Sequence, residues 1–139
     1  VAASNPAKAG HHLLQAFLDT TLPASEFHHE QHVQVAWLFV RDYGMPAALG
    51  EFSTAIKRFA DAKGATRLYH ETITWAFLLL IAERQARTCS PSWEAFAAAH
   101  PDLLVWKPSI LKRYYSDELL KSELARRVFV LPDRVRTGD

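Results

Sequence analysis

Residues 26–37 read EFHHEQHVQVAW and place three histidines within five positions, just ahead of an apolar run. His29 and His32 are three apart, a spacing that stacks two side chains on one face of a helix and lets both imidazoles reach a common point. Bundle metal sites use such a pair and complete it with a ligand from a facing helix. His70, in RLYHETITWAF, is the candidate third ligand, since it shares a helical face with Ile73, Thr74, Phe77 and Ile81. The two histidine-bearing helices must then pack parallel, with an intervening helix as the return connection.

Three neutral imidazoles suit iron, copper, zinc or nickel, and without a thiolate the sequence does not choose among them. Open coordination positions would either lower the pKa of a bound water for hydrolysis or activate oxygen. The expectation is therefore a small metal-dependent enzyme with ligands His29, His32 and His70, acting on a small organic substrate. Oxygen-dependent chemistry stands ahead of hydrolysis, because no polar substrate-clamping cluster is evident. Glu71 is the expected proton carrier or fourth ligand, and Tyr69 the expected hydrogen-bond donor to the metal-bound group. Two other classes stay open: a metal or haem carrier with His70 or His32 as axial ligand, and a helical interaction module whose histidines are only structural.

The remaining candidates read as structural. His28 sits at a helix N-cap, His11 and His12 are adjacent and so belong to the surface, and His100, before Pro101, reads as a cation at a helix end. Glu30 is turned toward solvent by the helical angle. His70-Glu71-Thr72-Ile73-Thr74 begins like a zincin motif, but Thr74 stands where the second histidine is needed. Cys89 has no catalytic signature, the serines form no nucleophile elbow, and glycine-rich phosphate loops are absent.

Glycine and proline fall at the ends of helix-length segments, and no strand-like alternation lies between them, so the fold class is all-α. The pattern predicts helices over Ala7–Thr20, from His28 or His29 to Tyr43, over Pro46–Lys63, and from Tyr69 to about Arg87. A short helix follows Ser90-Pro91-Ser92 and ends near His100, a turn or two follow Pro108, and a terminal helix opens at Ser116 or Asp117. Trp75 to Ile81 is apolar on every side, which marks its helix as the centre of a bundle of about five to seven helices. One domain spans residues 1–139, with 134–139 as a frayed tail.

Sixteen Lys and Arg against fifteen Asp and Glu give a formal charge of +1, with no basic stripe, so nucleic acid is not an expected partner. The longest apolar run is far short of the ~20 residues needed to cross a bilayer, and the first residues lack the order of a secretory signal. A lone cysteine excludes an internal disulfide and fits a cytoplasmic setting. Val1 in place of an initiating Met is what upstream trimming would leave. A small-molecule substrate is the expected partner, and a homodimer is compatible with the sequence.

Three blocks, Phe27-x-His29-x-x-His32-Val33-x-x-Ala36-Trp37, Tyr69-His70-Glu71-Thr72-Ile73-Thr74, and Arg113-Tyr114-Tyr115-Ser116 continuing through Ala125-Arg126-Arg127 to Phe129-Val130-x-Pro132-Asp133, resemble those of a small, largely uncharacterised bacterial-type family. The resemblance implies a shared all-helical fold and one site containing His29, His32 and His70, and it supplies no activity. The tyrosine pair near Ser116 would either close over that site or pack beneath it.

Overall fold

The computed structural model describes residues 6–134, with side chains described from Gly10 onward. The predicted fraying of 134–139 falls almost wholly outside that range, and Arg134 itself is tied down. Its amide donates to the Tyr114 carbonyl at 3.0 Å and its guanidinium to the Lys112 carbonyl at 2.7 Å.

The elements are α1 (Pro6–Leu18), α2 (His29–Tyr43), α3 (Ala47–Ala62), α4 (Glu71–Thr88), α5 (Trp93–Ala99), α6 (Asp117–Leu120) and α7 (Glu123–Arg127). Short 3-10 turns join them at Ala24–Glu26, Thr66–Leu68, Pro101–Leu104 and Ile110–Arg113. No strand occurs among the described residues, and the all-α expectation is met.

Helix ends follow local chemistry. Gly44 and Gly64 take positive φ just past α2 and α3, a backbone region open to glycine at little cost. Serines 92, 109, 116 and 122 each accept an amide from the first turn that follows them. The expected single terminal helix is thus two, because Ser122 caps α7 at the point where α6 ends.

One apolar core joins α1 to α4, and Phe17, Phe27, Phe39, Phe52 and Phe59 form its aromatic centre. Helix α4 touches α2, α3, α5 and α7, as its all-round apolar middle demands, although Leu79 is exposed. Helix α2 shares the central position. Val33, Val35, Ala36, Trp37, Leu38 and Phe39 are all buried, because α1, α3, α4 and α5 enclose it. Helix α2 is therefore buried over more than the face that His29 and His32 share, while Tyr43 at its end is exposed.

Candidate functional site

Helices α2 and α4 run parallel. Trp37 Nε1 donates to Gln85 Oε1 at 3.0 Å, 48 residues on, and one turn-pair earlier the His29 ring lies 5.0 Å from that of Phe77, at the same offset. Parallel packing is what the histidine positions required, and His29, His32 and His70 do line one cavity of about 430 Å³. Its other walls are Phe52 and Ile56 of α3, Phe77 of α4, Tyr69, Trp106 and Arg126. That size lies within the ~300–1,000 Å³ typical of small-molecule sites.

The offset that aligns His29 with Phe77 also leaves His70 seven residues away along α4, about 10 Å of helix rise. His70 is not inside the helix at all; it is the N-cap of α4. Its Nδ1 accepts the Ile73 amide at 3.1 Å, and its Nε2–H donates to the Leu120 carbonyl at 2.7 Å. Both nitrogens of the buried ring are therefore spent, and no lone pair remains for an ion or for a haem iron. Among the described residues no three His, Cys, Asp or Glu side chains are grouped to hold a metal. The residues brought together do not fit the expected three-imidazole centre, and the reason is a cap that sequence spacing mistook for a helical position.

The two histidines of α2 differ from His70 and from each other. His29 Nε2–H donates to the Leu103 carbonyl at 2.9 Å, which fixes the tautomer and leaves Nδ1 as an acceptor. Its ring is also flanked by that of Trp106 at 5.1 Å. Burial outweighs the carbonyl and lowers its pKa. His32 stacks on Phe27 with centroids 3.9 Å apart, and burial, with His29 nearby, pushes its pKa down to about 4. No described residue hydrogen-bonds this ring. Since every fully buried side-chain nitrogen and oxygen among the described residues has a partner, both His32 nitrogens keep some exposure, and the ring itself lines the cavity. At neutral pH they offer it one donor and one acceptor.

Tyr69 and Glu71 bond to each other. The phenol donates to Glu71 Oε1, so the donor expected to serve a bound group is already committed. Desolvation first, then this hydrogen bond, raises the Tyr69 pKa. Lys57 completes the cluster, its Nζ 4.0 Å from Glu71 Oε1 and 4.9 Å from the Tyr69 ring centroid. Glu71 faces Lys57 and is not a wall of the cavity, which removes it as a fourth ligand.

His28 is the N-cap of α2, its amide donating to Gln31 Oε1, and His11, His12 and Glu30 are exposed. His100, expected as a cation at a helix end, is buried: its Nδ1 accepts from Arg84 Nη1 at 3.1 Å, and desolvation followed by that positive charge lowers its pKa, which disfavours the charged form. Cys89 is exposed and pairs with no catalytic group. Tyr115 packs in the core and donates to the Val130 carbonyl at 2.8 Å, and neither it nor Tyr114 closes the cavity.

Two wall residues had no sequence signal. Trp106 lies in a loop and Arg126 on the five-residue α7, where no periodicity marks a functional face. Arg126 does fall in the Ala125-Arg126-Arg127 portion of the third block. No protein-family model, no curated protein and no solved structure matches the chain. No helix of the described residues is long and apolar enough to cross a membrane.

Proposed function

We propose that the cavity between α2, α3 and α4 binds a small, mostly apolar organic molecule, and that the His32 imidazole hydrogen-bonds its polar group. The observation that carries this reading is the His32 ring itself, held on the cavity wall by Phe27 with neither nitrogen bonded to a described residue. Around it the wall is aliphatic and aromatic, the usual makeup of a small-molecule pocket with a few polar anchors.

Recognition is favoured over proton transfer. A general base works best with a pKa near the operating pH, whereas His32, at about 4, holds protons too weakly to draw one from a substrate near neutrality. A neutral imidazole instead satisfies a hydroxyl, an amine or a carbonyl without the cost of burying a charge. No metal step enters this reading, since His70 has no lone pair to contribute.

N-phenyl-1-naphthylamine, an uncharged probe that fluoresces in apolar surroundings, tests the proposal. Saturable binding is expected, with His32→Leu weakening it about tenfold through loss of one hydrogen bond. Thr74→Trp, which fills the cavity from α4, should abolish it. Absence of saturable binding, or equal binding by Thr74→Trp in a folded state, defeats the reading.

A further inference from the structure

A second depression adjoins the cavity and shares His70, Ile73, Trp106 and Arg126 with it. The two differ in charge. The first has an apolar lining, whereas the second adds Lys107, Lys112 and Lys121 to Arg126 and has only Asp117 in opposition. Asp117 is itself 3.9 Å from Lys112, so the local surplus is positive.

Arg126 stands where the two meet. Its Nη1 donates to the carbonyls of Arg67 and Tyr69, at 2.5 and 3.3 Å, and no carboxylate lies within ion-pair distance among the described residues. Carbonyls orient the guanidinium without cancelling its charge. Nε and Nη2 donate to no described residue, and they lie in the fork that matches an oxyanion. The charge is felt on the cavity side too, where burial lowers the pKa of His70 and the guanidinium adds to that effect.

We infer that the ligand is an amphipathic anion, its apolar body in the cavity and its carboxylate, or another oxyanion, against Arg126 with the lysines of the adjoining depression around it. This rests on the cavity reading above and names the class of molecule it takes. The His32 imidazole then meets a polar atom of the body, while Arg126 meets the charge.

The test displaces N-phenyl-1-naphthylamine with octanoate or octanol, which differ at the head and share an alkyl chain. With no cationic partner octanol is the stronger competitor, because an ionised carboxylate is costlier to take from water. The expected result is the reverse order at about 20 mM salt, octanoate leading by about threefold or more, with that lead shrinking at about 300 mM. Arg126→Gln should restore octanol to first place. Lys121→Gln, at an exposed residue outside the cavity wall, should cut the octanoate advantage about twofold, which guards against misfolding of the arginine variant. Replacing octanoate by octyl phosphate separates a carboxylate site, where octanoate competes better, from a general oxyanion site, where the two compete alike; both outcomes support an anionic head. Octanol leading in the unmodified protein, or an octanoate lead that neither variant changes, overturns the inference and leaves the cavity reading standing. Failure of the naphthylamine to bind overturns both.

Discussion

His70 Nδ1 accepts the Ile73 amide at 3.1 Å, so one imidazole both starts α4 and, through its Nε2–H on the Leu120 carbonyl, holds the end of α6 against it. The ring is buried and its pKa is lowered by desolvation ahead of its other influences, which keeps it in the neutral form that both bonds require. His70→Ala should cost about 2–3 kcal/mol, roughly one for the cap and the remainder for a carbonyl left without its donor. His70→Asn, which can still cap, should lose about half as much. Urea unfolding followed by circular dichroism measures both. A metal held by His70 would instead make the midpoint depend on added zinc, and no such dependence is expected.

Acid should destabilise the protein through the histidines. His32 binds its proton at about 4 when folded and near 6.5 when unfolded. Its contribution to stability is therefore complete above the unfolded value and is lost as pH falls from 6.5 toward 4, because over that window the unfolded chain binds the extra proton. The full loss is roughly 3 kcal/mol. His29, His70 and His100 have pKa values displaced in the same direction and steepen the decline. His32→Phe removes the site while keeping an aromatic ring against Phe27, so its unfolding free energy should fall less between pH 7 and pH 4. Identical pH slopes for the two proteins would show that the His32 ring is not held neutral by burial.

Much of this architecture is written in local signals. Gly44, Pro46 and Gly64 mark the ends of α2 and α3 because their backbone preferences act within a few residues, and the face shared by His29 and His32 follows from helical geometry alone. The role of His70 turns on one turn of backbone. Had α4 begun at Tyr69, the ring would project from the helix; beginning at Glu71, it folds back onto the Ile73 amide. Histidine is not among the favoured capping residues, so composition gave no warning. Arg126 and Trp106 reach the site only because distant segments pack beside it, a relationship that carries no sequence period.

Backbone strain offers two stabilising substitutions. Thr20 adopts φ of 61° and Cys89 φ of 48°, the left-handed region in which a side chain is unfavourable and a β-branched one more so. Cys89 ends α4 in that conformation, with its amide donating to the Gln85 carbonyl. Cys89→Gly and Thr20→Gly should each raise stability by about 1 kcal/mol, the relief of strain exceeding the added freedom of the unfolded chain. Differential scanning calorimetry checks the gain, and ligand binding should be untouched because neither residue lines the cavity. A lower melting temperature in both variants would contradict this account.

Thr72 couples the fold to the proposed anion contact. Its side chain is fully buried, and Oγ1 donates to the Val128 carbonyl at 2.9 Å while accepting the Val130 amide at 3.1 Å. One hydroxyl thus fastens the extended segment after α7 to the first turn of α4, two residues from the arginine at the cavity. Thr72→Val keeps the shape and loses both bonds, leaving an amide and a carbonyl without this partner, so a cost of about 2–4 kcal/mol is expected. Thr72→Ser should recover most of it. If the segment also positions Arg126, Thr72→Val should lower the affinity for octanoate more than for octanol under conditions where the variant remains folded. Equal losses for the two competitors would mean that the hydroxyl serves stability alone, and that α7 keeps its place through Ala125 in the core and the Arg126 bonds to Arg67 and Tyr69.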